Sequence, residues 1–104
     1  MVAIPEAVRS EVNKYLKRLR QEIPVDKAML FGSYARGTFD SGSDIDLAIF
    51  SDYFRGKRRV DNIAFLLSHA MDIDLDLEPL AFTYEEYTER IGLVDEIIRT
   101  GIEI

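Results

Sequence analysis

The chain has 104 residues, 47% hydrophobic and 31% charged, with no cysteine and a single histidine, His69. That length suits one domain spanning 1–104, and the missing cysteines exclude a disulfide framework, a thiolate nucleophile, a cysteine-ligated zinc site and an iron–sulfur cluster. Net charge is −6, but residues 1–36 carry seven Lys/Arg against four Asp/Glu and residues 37–104 carry six against fifteen, which speaks against a sequence-independent grip on a long nucleic acid.

The spacing of Val8, Val12, Tyr15, Leu16, Leu19 and Ile23 predicts an amphipathic helix from Pro5 to Glu22, closed by Pro24. Lys27 to Phe31 is a short apolar run stopped by Gly32, as in a buried strand. Ser33 to Gly37 opens a short helix, Phe39 to Ser43 has turn composition, and Asp44 to Phe50 is a second strand whose first part faces something polar. The basic cluster Arg55 to Arg59 leads into a helix through Ala70, with Val60, Ile63, Ala64, Leu67 and Ala70 expected as its inward face. Met71 to Phe82 is expected as a third strand, with Ile73, Leu75 and Leu77 on one side and Asp72, Asp74, Asp76 and Glu78 on the other. Thr83-Tyr-Glu-Glu86 matches a capping box, so a helix starts there, and a last helical stripe of Leu93, Val94, Ile97 and Ile98 ends at Gly101. The expected class is α/β of the α+β type, a small mixed sheet of at least three strands flanked by helices. No apolar run approaches the ~20 residues of a membrane span, and residues 1–5 lead into a charged helix rather than a signal peptide, so the cytoplasm is the expected location.

The informative stretch runs from Gly32 to Asp46. Aspartates two apart on a strand point to the same face with Cα atoms ~6.8 Å apart, so Asp44 and Asp46 can converge on one cation or a pair. Without a cation they repel, at ~3 kcal/mol for unit charges ~5 Å apart in an effective dielectric of about 20. A third carboxylate from a neighbouring strand deepens that penalty unless a divalent ion offsets it, and hard oxygen donors suit Mg²⁺ or Mn²⁺ rather than zinc. Gly32-Ser33, directly after a strand, makes the complementary half: a tight turn with free backbone N–H groups, a glycine that lets a ligand approach, and a hydroxyl donor, all suited to phosphate oxygens. Arg36 adds positive charge. Phosphates on one side and metal on the other imply in-line phosphoryl or nucleotidyl transfer.

The pattern Gly32-Ser33, ten residues, then Asp44-x-Asp46, within Gly-Ser-Tyr-Ala-Arg-Gly…Ser-Asp-Ile-Asp-Leu, resembles the DNA polymerase beta-like nucleotidyltransferase superfamily in its minimal nucleotidyltransferase form. The resemblance implies that Asp44 and Asp46 bind Mg²⁺, that Gly32 and Ser33 hold the phosphates of ATP or another NTP, and that a third-strand acid completes a catalytic triad. Glu78 matches best through its Leu-Glu-Pro setting, with Asp74 and Asp76 as alternatives. It further implies transfer of NMP to an acceptor supplied by another molecule, such as a HEPN-type helical protein in a toxin–antitoxin pair, with this chain as antitoxin. Two rival readings stand beside it: a catalytically silent module that neutralises a partner by contact, and a homodimeric enzyme acting on a small molecule. A Walker A loop fails because no Lys precedes Thr38, and an EF-hand fails because no register supplies its ligands. His69 reads as a capping or packing residue, Arg55 to Arg59 as a solvated helix entrance, and Tyr53-Phe54 as packing beneath that loop.

Overall fold

The fold, taken from a computed structural model, is described for residues 4–40, 42–73 and 76–104. Helix α1 (Glu6–Arg20) follows Pro5, whose missing N–H would have had no intrahelical acceptor. Its Val8, Val12, Tyr15, Leu16 and Leu19 are all buried, as their spacing predicts. Strand β1 (Lys27–Phe31), helix α2 (Ser33–Arg36) and strand β2 (Ile45–Phe50) come next, and a 3₁₀ turn (Asp52–Phe54) leads into helix α3 (Arg59–Ser68). Strand β3 (Leu77–Phe82), helices α4 (Tyr84–Glu89) and α5 (Leu93–Thr100) and strand β4 (Ile102–Glu103) complete the described chain.

The sheet is mixed, in the order β3-β2-β1-β4, with β1 antiparallel to β2 and β4 and with β2 parallel to β3. Alternation along β2 sends Ile45, Leu47 and Ile49 to one face and Asp46, Ala48 and Phe50 to the other. The first face carries the larger core, where Ala28, Leu30, Leu47 and Leu77 pack beneath α1 and Leu66 of α3. There the buried Tyr15 hydroxyl donates to the Leu66 carbonyl at 2.8 Å, and burial pushes its pKa up. Arg18 fastens the same two helices by donating to the His69 carbonyl at 3.2 Å and to the Asp72 carboxylate at 2.9 Å. The second face carries a smaller core of Met29, Phe50, Phe82, Val94 and Ile97 beneath α4 and α5. Helix α4 starts with the expected capping box, Thr83 accepting from the Glu86 N–H and Glu86 from the Thr83 N–H.

Two expectations need correction, and the sheet gains a strand beyond the three that the sequence marks. Of the Val60, Ile63, Ala64, Leu67 and Ala70 expected to face inward, Val60 is 64% and Leu67 45% exposed and Ala64 is exposed too, whereas Ala70 does pack against the core. Asn62 and Leu66 face in instead, because Asn62 donates to the Phe54 carbonyl at 3.3 Å and so satisfies part of its polar head inside. The third strand starts at Leu77 rather than Met71: its parallel partner β2 offers ladder positions only from Ile45, and residues 70–72 form the turn after α3 that Arg18 clasps. Asp74 and Leu75 lie outside the described residues. Finally, the chain past Gly101 adds β4, a two-residue strand too short for any alternation to announce it. A Cβ at Gly101 would stand 2.4 Å from the Ile97 carbonyl oxygen and 2.8 Å from that of Leu30, so only glycine lets the chain turn from α5 onto β1. Among the described residues no helix is long and apolar enough to cross a membrane.

Candidate active site

The site forms where β1 ends and β2 begins. Gly32 follows β1 with φ 76° and ψ −150°, a conformation open essentially to glycine alone. Space makes the same demand, because a Cβ there would come within 2.1 Å of the Asp46 Oδ2. Backbone and carboxylate thus touch across the turn. Ser33 opens α2 and is half-buried, Arg36 closes it exposed, and Gly37, at φ 78°, provides its left-handed cap.

The loop back to β2 is held locally. Phe39 stacks on Tyr34 with ring centroids 4.5 Å apart. Asp40 accepts from the Gly42 N–H at 2.8 Å, its own N–H donates to the Ser43 Oγ at 2.9 Å, and the Ser43 N–H donates to its carbonyl at 3.1 Å. This Asx-type turn delivers Asp44 to the head of β2. Asp40 and Ser43 were legible only as turn-formers, yet they position the first acid.

Register then aligns the rest. Phe31 of β1 pairs with Asp46 of β2, and Asp46 pairs with Glu78 of β3, so Gly32, Asp46 and Glu78 lie side by side at one end of the sheet. Strands in a sheet run ~4.8 Å apart, which sets the separation of the backbones that carry these acids. Of the third-strand acids left open by the sequence, Glu78 is the one in register with Asp46. Asp76 precedes the strand, and its carbonyl accepts from the Ile45 N–H at 2.8 Å. Asp74 lies outside the described residues.

The acids feel one another. Glu78 holds its proton more tightly than an ordinary glutamate, first through hydrogen bonding with Asp44 and then through the Asp44 charge. Asp46 is also raised, chiefly by burial and further by the Asp44 charge, against the opposing effects of a hydrogen bond from Glu78 and the nearby Arg36. Both shifts require three carboxyls within reach of one another. Among the described residues no three acids or histidines stand close enough together to form a ready-made metal site. Still, an all-oxygen donor set in which the Asp44 charge raises the proton affinity of Asp46 and Glu78 fits a divalent cation of the Mg²⁺ type, which would relieve that repulsion.

A cavity of about 240 Å³ adjoins Asp46. Gly32, Arg36 and Asp46 line one side of it. The other side is α5, through Leu93, Glu96, Ile97 and Thr100. The apolar stripe of α5 marks it for packing and gives no role to Glu96 or Thr100. The available signal was its mixed face, since 93, 96, 97 and 100 share one side of a helix and two of the four are polar.

The family model of the nucleotidyltransferase domain matches residues 12–100. Protein adenylyltransferase MntA of Shewanella oneidensis is 40% identical over 74 residues, which are 65% of this chain and 50% of that protein, so the match spans half of its length. MJ0141 of Methanocaldococcus jannaschii, a candidate protein adenylyltransferase, is 26% identical over 101 residues, 90% of this chain and 99% of that protein. In fold, the chain is similar to a candidate nucleotidyltransferase from Sulfolobus solfataricus, with a TM-score of 0.67 at 16% identity over 99% of this chain and 89% of that one. A second solved nucleotidyltransferase candidate gives 0.57 at 23% identity, over 94% of this chain and 98% of that one.

Proposed function

Since the chain belongs to the nucleotidyltransferase domain family and is a nucleotidyltransferase, we propose that it transfers AMP from ATP to a hydroxyl on a partner protein. The observation that carries this reading is the register that sets Gly32, Asp46 and Glu78 side by side on adjoining strands, with Asp44 at the head of the same strand.

Asp44, Asp46 and Glu78 are the residues that would hold Mg²⁺, which when bound neutralises charge on the phosphates and on the departing pyrophosphate. Gly32 presents bare backbone to the phosphates, the Ser33 hydroxyl donates to them, and Arg36 adds a guanidinium at the same cavity. In the transfer, a bond forms between the acceptor oxygen and the α-phosphorus while the bond to the β-phosphate bridging oxygen breaks, releasing pyrophosphate. The hydroxyl proton passes to Glu78, the acid on edge strand β3, where an acceptor can approach.

The names of MntA and MJ0141 support a protein as acceptor. The proposed partner is a HEPN-type helical protein silenced by the modification, which makes this chain the antitoxin of the pair. The test uses ATP labelled at the α- or γ-phosphate with Mg²⁺ and the co-expressed partner. Label from the α-position alone, with an AMP mass increment on the partner, is the expected result. Partner silencing without any adduct would overturn the reading in favour of a contact-only module.

A further inference from the structure

Helix α5 lies on the same sheet face as Asp46, and its side forms the cavity opposite Gly32 and Arg36. Resting on the proposed function, we infer that this side is the ribose subsite, with the Glu96 carboxylate accepting from the 2′- and 3′-hydroxyls of a ribonucleoside triphosphate.

Charge and size decide what goes where. Phosphates are drawn to the side with Arg36 and the bare Gly32 backbone, where a cation held by Asp46 would offset its charge, and they are repelled by the uncompensated Glu96 carboxylate on the opposite side. A 240 Å³ cavity is also smaller than the ~300–1,000 Å³ of a site enclosing a whole drug-sized ligand, so it takes only part of the nucleotide. That part is the one next to the phosphate under attack, namely the sugar. Leu93 and Ile97 supply apolar contact for its carbon face, and Glu96 supplies an acceptor-only head that matches a pair of hydroxyl donors. Among the described residues Glu96 makes no ion pair: on α5 it is Asp95 that engages Arg90 and Arg99. The Thr100 hydroxyl, by contrast, is already committed to the Glu96 carbonyl at 2.7 Å, which leaves the carboxylate as the free reader. An adenine edge suits that carboxylate poorly, because its ring nitrogen acceptor stands beside the amine donor.

Equilibrium binding by calorimetry, with Mg²⁺ present and no acceptor, tests the assignment with ATP, 2′-deoxy-ATP, 3′-deoxy-ATP and GTP. Wild type should bind ATP about tenfold or more tightly than either deoxy analogue, the range of a hydrogen bond to a charged group. Glu96→Ala should bind ATP and the deoxy analogues alike, at the affinity wild type shows for the analogues, while Glu96→Gln keeps part of the preference. An unchanged ATP to deoxy-ATP ratio in Glu96→Ala, an equal loss for all ligands, or a loss confined to GTP would each overturn the ribose assignment. If wild type binds every NTP but shows no preference for ribose, the subsite fails while the nucleotidyltransferase reading stands. If wild type binds no NTP, both fall together.

Discussion

The two faces of the sheet do opposite jobs. On the first, Ile45, Leu47 and Ile49 of β2 are at most 1% exposed, beneath two helices that are hydrogen-bonded to each other through Tyr15 and Arg18. On the second, the same strand begins with Asp46 and becomes fully covered only by Ala48 and Phe50. Helices α4 and α5 are short, at six and eight residues, and leave a cavity at the acidic end. One strand thus gives its odd-numbered residues wholly to packing, while its even-numbered side turns from chemistry at Asp46 to packing at Ala48 and Phe50. A close-packed face fixes the strand positions, and the open face can then hold like charges together that would disperse on a looser scaffold.

The comparison breaks most visibly at Leu47→Ala. Truncating a fully buried leucine in a well-packed core removes about 2–5 kcal/mol, against a total of about 5–15 kcal/mol for a domain of ordinary stability. A denaturant melt should show that loss, while ATP affinity per folded molecule stays as in wild type. A collapse of affinity without a matching loss of stability would mean that the faces are not separable.

Next in size is Gly32→Ala, which joins the two faces. Gly32's φ of 76° with ψ of −150° is a region essentially closed to residues with a Cβ and strains an alanine by roughly 1–3 kcal/mol, and the new Cβ drives Asp46 out of its place. The expectation is a modest fall in melting temperature with transfer reduced by about 100-fold or more, the scale of losing an electrostatic element of a site. Full activity in this variant would show that the Asp46 position is not what the chemistry needs.

What could be read in advance followed from which signals are local. The periodicity of α1, the glycine stop at Phe31-Gly32, the Asp44-x-Asp46 spacing and the Thr83 capping box depend on neighbours in sequence, and each is present. On α3, Val60, Ala64 and Leu67 form a good apolar stripe, yet the inward face is settled by Asn62 finding the Phe54 carbonyl, a tertiary fact. Ahead of β3 the alternation of apolar and acidic residues extends to positions for which β2 offers no partners. Glu78 has a local mark in its Leu-Glu-Pro setting, but its place beside Asp46 follows from that register. The polar positions on one side of α5 are likewise local, while their facing the cavity depends on packing across the whole sheet.

Asp40→Ala sharpens the distinction between the acids and the loop that delivers them. It removes the acceptor for the Gly42 N–H but touches neither core, so stability should drop by only about 1 kcal/mol. A wandering Asp44 should then weaken metal binding, measured as the Mg²⁺-induced rise in melting temperature, more than it lowers that temperature without metal.

The smallest effect is the most telling about sign. Asp46 and Glu78 are both raised in the folded chain, so between the unfolded and folded pKa values the native state binds more protons than the unfolded one, and stability falls as pH rises through that window. Their destabilising contribution is complete above the raised values and absent below the unfolded carboxylate range near ~4. Asp72 on the first face is opposite: Arg18 hydrogen-bonds it and holds its pKa down, so its stabilisation is present above the unfolded value and lost as pH falls through the lowered one. In chelator-treated protein at pH 7, Asp44→Asn with Asp46→Asn should therefore melt slightly higher than wild type, and the gap should close as pH approaches about 4. Asp72→Asn should melt lower at pH 7, with a deficit that persists to about pH 4 and disappears only below it. Two melting-temperature profiles of opposite sign are what the division between the faces requires. A double variant less stable than wild type at neutral pH without metal would mean that Asp44 and Asp46 are held by something other than a cation's absence would allow, and the site face would have to be counted with the packed one.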